Sequence, residues 1–164
     1  MRILLFGEFS GLHKNLKEGL LELGHEVKVA AGMDGYKKIP SDLNLDSKYD
    51  GILGMLDRRL KPFFSLVNLH DFDVVQIINP FYPNAKLFPK LFFYFLLSFL
   101  NKKFFVLAAG SDAYYWKYGR TRLKYGPFED NLKYDIKSKT YYMEGRKEFL
   151  YNRKIVELSN GVIL

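Results

Sequence analysis

Short apolar runs alternate with amphipathic segments along most of the chain. Such runs are typical of strands that are buried in a parallel sheet. Four of them are rich in apolar and β-branched residues: "RILLFG" (2–7), "HEVKVAA" (25–31), "DVVQIIN" (73–79) and "KFFVLAAG" (103–110). Between the first two runs, leucines recur at helical spacing from Leu12 to Leu23, and Gly24 follows at the position of a helix cap. Strand, helix and strand within about thirty residues predict a right-handed βαβ unit.

The segments between these elements complete an α/β pattern. Residues 32–49 lack periodicity, which predicts a loop with room for a short strand. A helix is expected over residues 51–69, interrupted or restarted at Pro62. The closing "NGVIL" (160–164) predicts entry into a further buried strand, and we therefore expect the chain to be a fragment of a longer protein. The fold class predicted is a Rossmann-like three-layer α/β/α sandwich with a mostly parallel sheet.

The segment "LFPKLFFYFLLSFLNKKFF", which begins at Leu87, is the most apolar part of the chain. Its unbroken apolar stretch is far shorter than the ~18 residues that indicate a membrane-spanning helix. As a helix it has one narrow polar stripe, formed by Lys90, Tyr94 and Ser98. The pattern favours a helix buried between the sheet and another layer, and the alternative is a helix that dips into a bilayer surface.

The pattern changes after the fourth strand. Residues 111–138 are rich in tyrosine, glycine and charge, and we expect an irregular, partly ordered segment. A helix is predicted over residues 140–158, with an apolar stripe that includes Phe149 and Val156. Arg146 belongs to the same stripe, so its side chain either extends to solvent at the edge of the stripe or lines a charged cleft.

The net charge of +7 is concentrated near the C-terminus. Residues 113–154 contain eleven Lys or Arg against five Asp or Glu, together with eight of the twelve tyrosines. Basic residues among aromatics suit nucleic acid, anionic lipid headgroups or phosphorylated substrates, and the alternative is a solvated basic face. The residues predicted to form a basic cleft are Arg120, Arg122 and Arg146.

The amino-acid composition bears on the cellular compartment of the protein and on its disulfide and metal chemistry. There is no cysteine, which excludes disulfides and thiolate metal sites and fits a reducing compartment. The apolar run after Met1 is too short for a signal peptide, so we expect a cytoplasmic protein, with peripheral contact at the inner face of the membrane as an option. No His, Asp and Glu residues have metal-ligand spacing, so no protein-bound metal is expected.

The turn after the first strand resembles a phosphate cradle without matching one. Gly7 and Gly11 allow close backbone approach, and a helix start follows. However, the turn is neither G-x-G-x-x-G nor G-x-x-x-x-G-K-S/T, and Glu8 puts a negative charge where a pyrophosphate would bind. Asp34 lies several residues beyond the point where a ribose-binding acid is expected. The turn is therefore predicted to bind neither a tightly held dinucleotide nor ATP.

Ligands of open parallel sheets bind outside the carboxyl ends of the strands, so candidate residues come from the loops there. His13 is a candidate donor or acid, with a solvated surface residue as the alternative. Asp112 in "GSD" could accept hydrogen bonds from hydroxyls or act as a base, with capping of the next turn as the alternative. The residues predicted to bind ligand are Ser10, Gly11, His13, Asn79, Tyr82, Ser111 and Asp112.

Several of these segments, taken in order, resemble the N-terminal half of GT-B glycosyltransferases, in particular the large glycogen-synthase-like family 4. The string "RILLFGEFSGLHKNLKEGLLELGHEVKVAA" resembles the family's first strand, glycine-containing loop, helix and "GHeV" turn. "DFDVVQIINP" and "KFFVLAAGSD" are similar to its following strands, and "IVELSNGVIL" is similar to the strand before its interdomain linker. The resemblance spans most of the chain, and its strength comes from the order and spacing of the motifs.

The resemblance implies that residues 1–164 form the acceptor-side domain of an enzyme that transfers sugar from a nucleotide sugar to a glycan or lipid-linked acceptor. The nucleotide sugar would be bound by a C-terminal domain that this chain does not contain, so no cofactor is expected here and the chain alone is expected to be inactive. The family implies metal-independent chemistry. The basic segment and the apolar helix would suit a lipid-linked acceptor at an anionic membrane.

Two departures from the family pattern restrict the assignment. Glu8 and Phe9 replace the second glycine of a "GG" pair, and Ala109 and Gly110 replace a histidine that many members carry. We therefore assign binding roles, with Asp112 as the one weak candidate for catalysis. The main alternative is a self-contained α/β module that binds a nucleotide or nucleic acid, although nucleic acid is not the expected partner. A nicotinamide-dependent oxidoreductase domain is a third hypothesis.

Overall fold

The computed structural model describes residues 1–32, 39–80, 88–109, 112–124 and 145–163, apart from the side chains at positions 116, 120 and 121. Its centre is a six-stranded parallel sheet with the strand order β3-β2-β1-β4-β5-β6. The strands are β1 (Arg2–Phe6), β2 (Glu26–Ala31), β3 (Leu43–Asn44), β4 (Val74–Ile78), β5 (Phe104–Leu107) and β6 (Gly161–Ile163). Every strand predicted from an apolar run is confirmed, and so is the predicted short strand β3.

The helices of the described residues connect these strands. They are α1 (Leu12–Glu22), α2 (Gly51–Ser65), α3 (Lys90–Phe99), α4 (Ala113–Arg122) and α5 (Arg146–Leu158), and a short 3₁₀ helix (Leu66–Asn68) follows α2. Two predictions about these segments are wrong. Helix α2 runs through Pro62 without interruption, and α4 forms within a segment predicted to be irregular. Within the described ranges, none of the helices combines the length and the apolarity needed to cross a membrane.

The sheet confirms the predicted α/β class. All five strand pairings are parallel, and β1 lies between β2 and β4. The strand order is that of doubly wound dinucleotide-binding sheets. In such sheets the ligand crevice lies where the strand order reverses, which here is between β1 and β4. The carboxyl ends of β1, β4 and β5 therefore meet at one edge, as predicted.

The larger part of the core lies between the sheet and the helices α2, α3 and α5. Phe6 at the centre of the sheet packs against Phe93 and Tyr94 of α3, with ring centroids 5.4 and 6.1 Å apart. Phe63 of α2 joins the same aromatic group, 5.7 Å from Phe93. Ile155 of α5 is fully buried beside them. This core is what fixes α3 and α5 against the carboxyl half of the sheet.

The inward face of α3 differs from the prediction. Tyr94, which the sequence pattern assigns to the narrow polar stripe, is fully buried, and its ring packs against Phe93 and Phe104. In exchange, Phe92, Phe95 and Phe99 are 55, 48 and 76 % exposed. A phenol is mostly apolar surface, so burial of the ring outweighs the preference of one hydroxyl for water. The prediction that α3 is buried between two layers is therefore only half correct, because its outer face is open.

Helix α1 covers the opposite face of the sheet. For this helix too, the residues predicted to face the sheet differ from those that do. The predicted inward stripe of leucines is displaced, since Leu12 and Leu23 are 44 and 72 % exposed. The helix instead turns His13, Lys17 and Leu20 towards the sheet, and His13 is completely buried. Leu20 packs on a small cluster of apolar side chains from β1 and β2.

The last two elements also depart in part from their predictions. Helix α5 turns Asn152 and Ile155 into the core, while Phe149 of the predicted stripe faces α4. The segment "NGVIL" does form strand β6, paired with β5. However, Val162 and Ile163 are 41 and 43 % exposed, so β6 is not the fully buried strand that the sequence predicts.

Candidate functional site

The turn after β1 is shaped by one close backbone approach. Gly7 has a positive φ of 88°, and a Cβ at this position would lie 2.8 Å from Cγ2 of Ile78. Only glycine fits both constraints, because an L side chain would be strained and would collide with β4. Ser10 and Gly11, both predicted to bind ligand, continue the turn with positive φ values of 55° and 88°.

The carboxylate of Glu8 occupies the N-terminus of α1. Oε1 accepts hydrogen bonds from the backbone N–H groups of Phe9 and Gly11, at 2.7 and 3.0 Å, and Oε2 accepts one from Lys14 at 2.9 Å. These are the groups that would receive a phosphate in a nucleotide-binding turn. The chain thus supplies its own anion at this position, which gives a structural reason for the expectation that the turn holds no pyrophosphate.

His13 lies beneath this turn and ties it to the sheet. Nδ1 lies 2.6 Å from the carbonyl oxygen of Gly7, and Nε2 lies 3.2 Å from Nε2 of Gln76. A neutral ring that donates from Nδ1 and accepts from the Gln76 amide satisfies both contacts. Burial lowers the pKa of His13, although the hydrogen bond to Gly7 and the charge of Glu8 oppose this shift. The alternative of a solvated surface histidine is therefore wrong.

Asn79 and Asp112 hold the loops after β4 and β5. The backbone of Asn79 has a φ of 42°, and its Oδ1 accepts a hydrogen bond from the backbone N–H of Ala109 at 3.1 Å. Asp112 caps α4 by accepting a hydrogen bond from the N–H of Tyr115 at 2.8 Å. The capping role considered for Asp112 is thus present, and the residue as a whole is nearly buried, at 9 % exposure.

A cavity of about 520 Å³ opens between these two loops and helices α4 and α5. Asn79 and Asp112 both line it, so the structure brings together two of the predicted binding residues. Most of the remaining wall is aromatic or aliphatic, and Asn152 of α5 contributes a second amide. The described residues that line the cavity are Asn79, Pro80, Val106, Ala108, Asp112, Tyr114, Tyr115, Asn152, Val156 and Val162.

Sequence reasoning missed Asn152, because it placed the buried face of α5 along Phe149 and Val156. The sequence does contain a signal for the true face. Tyr151, Ile155 and Leu158 recur at intervals of four and three residues, and Asn152 adjoins that stripe. A polar residue beside such a stripe marks a candidate site.

A separate groove of about 460 Å³ has basic and aromatic walls formed by Lys117, Arg146, Phe149 and Leu150. Lys117 Nζ lies 3.7 Å from the ring centroid of Phe149. Arg146 therefore lines a basic groove, as one of the two predictions for it proposed. Arg122 lies outside the groove, with its guanidinium 5.2 Å from the ring centroid of Tyr118. The side chain of Arg120 is outside the described residues.

The remaining predicted residues do not join the cavity. Ser10 and Gly11 belong to the turn after β1, His13 belongs to the first turn of α1, and none of the three lines the cavity. Tyr82 and Ser111 lie outside the described residues. Within the described ranges, no group of three or more His, Asp or Glu side chains is placed to hold a metal ion.

Comparison of the chain with protein-family models, with curated proteins and with solved structures found no match.

Proposed function

We propose that this domain binds the acceptor of a glycosyltransferase, with the acceptor seated in the cavity between the loops after β4 and β5. On this proposal the acceptor is a glycan or a lipid-linked sugar, and the nucleotide sugar is bound by a separate C-terminal domain. The observation that carries the proposal is the meeting of Asn79, Asp112 and Asn152 in one cavity at the carboxyl edge of the sheet.

The chemistry of the cavity supports a sugar with an apolar substituent. Amides and a carboxylate are the groups that pair with hydroxyls, because together they offer both donors and acceptors. The rings of Tyr114 and Tyr115 and the side chain of Val106 give a largely apolar wall. A mostly apolar pocket with a few placed polar groups is the usual form of a small-molecule site.

The turn after β1 argues against the alternative of a nucleotide-binding module. The N–H groups that would hold a phosphate already donate to Glu8. A second carboxylate-sized anion at this helix N-terminus would face the charge of Glu8 at short range. The acceptor-side function is therefore favoured over nucleotide binding at this edge of the sheet.

Calorimetric titration with phenyl β-glycosides of glucose, galactose and N-acetylglucosamine tests the proposal. We expect at least one of them to bind with a Kd on the order of 1 mM, which is typical of half of a composite site. Ala108→Leu should weaken that binding at least about tenfold by filling the cavity. Asn15→Leu, at an exposed position of α1, is the control and should bind like the wild type. Absence of binding, or equal binding by Ala108→Leu, would contradict the proposal.

We further propose that the domain binds peripherally to an anionic membrane surface, where a lipid-linked acceptor would be located. The outer face of α3 presents Phe92, Phe95 and Phe99 to solvent. The exposed side chains of Lys102 and Lys103 follow directly, although Lys102 also pairs with Asp73 at 2.7 Å. Apolar side chains flanked by lysines are the pattern of interfacial helices, and the net charge of +7 favours anionic lipid.

A further inference from the structure

Asn152 is an anomaly of packing. Its side chain is 2 % exposed, and Nδ2 has no hydrogen-bond partner among the described residues. A buried amide that lacks a partner costs free energy, because it has given up its bonds to water and gained nothing in return. The hydroxyl of Tyr151 is the other such group in the described residues, but it borders a different groove, beside Lys90.

The surroundings of Asn152 favour an aliphatic side chain. Ile155 lies one helical turn further along α5 and is completely buried, while Val106, Val156 and Val162 line the same cavity as Asn152. A leucine has the same branched shape and number of side-chain heavy atoms, although its two methyl groups are bulkier, and it would leave no polar atom unpaired at this position. Asn152 also lines the cavity, so a ligand that enters the cavity can supply the partner that Nδ2 lacks among the described residues.

The free Nδ2–H group determines the chemistry of that partner. A primary amide nitrogen is only a donor, so the ligand must offer an oxygen or another acceptor. Asp112, which as a residue is nearly buried, borders the same cavity with its carboxylate. An anionic ligand group would face this charge in a poorly hydrated space, which is unfavourable. The oxygen is therefore uncharged: a hydroxyl, an ether or a carbonyl.

The neighbouring basic groove offers a separate place for an anion. The ring of Tyr114 lines the cavity, and its centroid lies 5.0 Å from that of Phe149, which lines the groove. Lys117 and Arg146 carry the positive charge of the groove. The rings of Tyr114 and Phe149 thus lie between the groove, which suits an anionic ligand group, and the cavity, which suits a neutral one.

We propose that Asn152 determines acceptor specificity by donating a hydrogen bond from Nδ2 to an uncharged oxygen of the acceptor, whose apolar part lies against Val106, Val156 and Val162. This inference rests on the proposed function and adds to it the class of acceptor group: a neutral, oxygen-bearing group with an apolar neighbour. It predicts that a phosphate or a carboxylate is excluded from the cavity.

The test compares Asn152→Leu and Asn152→Asp with the wild-type chain. The probes are the tightest-binding of the three phenyl β-glycosides and, as the anion, phenyl phosphate. We expect Asn152→Leu to weaken glycoside binding about three- to tenfold, as the loss of one neutral hydrogen bond would. It should also raise the Tm of the free protein by about 2–4 °C, because the unpaired amide is gone. Asn152→Asp should bind the glycoside more weakly than Asn152→Leu does.

The outcomes separate this inference from the proposed function. If Ala108→Leu abolishes glycoside binding but Asn152→Leu binds like the wild type, the role of Asn152 is wrong and the acceptor cavity stands. If phenyl phosphate binds more tightly than the glycoside and depends on Asn152, the neutral class is wrong. If no phenyl glycoside binds, the proposed function fails, and this inference fails with it. A fall in the Tm of Asn152→Leu would show that the amide is structural.

Discussion

The Nδ1 atom of His13 lies 2.6 Å from the carbonyl oxygen of Gly7, beneath the turn that leaves the first strand. This contact joins the start of α1 to the centre of the sheet. It requires a proton on Nδ1, and the contact with Gln76 requires a lone pair on Nε2. A doubly protonated ring would lose the second contact and place a charge in the interior.

Stability should therefore depend on pH through His13. Burial lowers its pKa below the ordinary value of 6.5, so the unfolded chain takes up the proton first as the pH falls. The free energy of unfolding should be constant in this respect above 6.5 and should decrease below it. Urea unfolding at several values between about pH 5 and 8 measures the effect. His13→Gln should show a weaker loss in acid, and an identical pH dependence in both proteins would contradict the account.

Alanine substitutions at three glycines distinguish the cost of backbone strain from the cost of a steric clash. Gly7→Ala should lower the free energy of unfolding by about 2–4 kcal/mol, because a positive φ and a contact with Ile78 act together. Gly24 has a φ of 78° but open space around it, so Gly24→Ala should cost only about 1–2 kcal/mol.

Gly19→Ala is the control for this series. Gly19 lies within α1, and a methyl group at this position would meet no neighbouring atom within 4 Å, so alanine should stabilise the helix by about 0.5–1 kcal/mol. Chemical denaturation of the three variants gives the order directly. Equal effects at Gly7 and Gly24 would show that the approach of β1 to Ile78 imposes no constraint.

Removal of the internal anion at α1 should be costly. Glu8→Ala leaves the N–H groups of Phe9, Gly11 and Lys14 without their side-chain acceptor, and we expect a loss of about 1–2 kcal/mol of unfolding free energy. Glu18→Ala is the matched control, since Glu18 lies on the exposed side of the same helix. Its change should stay within about 0.5 kcal/mol. A loss at Glu18 as large as that at Glu8 would contradict the capping role.

Membrane association through α3 should depend on both lipid charge and phenylalanine. The chain should sediment with vesicles of phosphatidylcholine containing one quarter phosphatidylglycerol and should stay in solution with phosphatidylcholine alone. Attraction to anionic lipid is worth about 1 kcal/mol per nearby Lys or Arg, so the difference should be large. The double variant Phe95→Ser and Phe99→Ser should lose the association.

Leu23→Ser provides the matched control for that experiment. Leu23 is 72 % exposed, close to the 76 % of Phe99, but it lies at the end of α1. This variant should sediment like the wild type. Equal loss in both variants would indicate non-specific adhesion, and a concentration-dependent dimer that disappears in the phenylalanine variant would assign the α3 face to a second copy of the chain.

Strands β1, β2, β4 and β5 were predictable because each is an apolar run that is mostly buried in the sheet. The faces of the helices were not. The sequence analysis left a surface position open for His13, placed Tyr94 in a polar stripe and did not consider Asn152, whereas the structure buries all three. His13 can be buried because its ring nitrogens contact Gly7 and Gln76, and a single sequence does not show these contacts.

The part of the candidate site that comes from the loops after the strands was predictable, whereas the part that comes from a helix was not. Asn79 directly follows β4 and Asp112 comes a few residues after β5, and the rule for parallel sheets places such residues at one edge. Asn152 enters the cavity from a helix packed over the sheet, so its position depends on how α5 is rotated. The sequence offers two competing apolar stripes for this helix, one with Phe149 and Val156 and one with Ile155, and the packing of Ile155 in the core decides between them.

The most direct test of the acceptor cavity is a titration of the ¹⁵N-labelled chain with phenyl β-glycosides, followed by ¹H–¹⁵N correlation spectra. The largest changes should fall on the backbone amides of Asn79, Ala108 and Asp112 and on the side-chain amide of Asn152, which Asn152→Leu identifies by its absence. The amides of the turn after β1 should remain unchanged. Changes concentrated at Phe9 and Gly11, or no change around the cavity, would contradict the account.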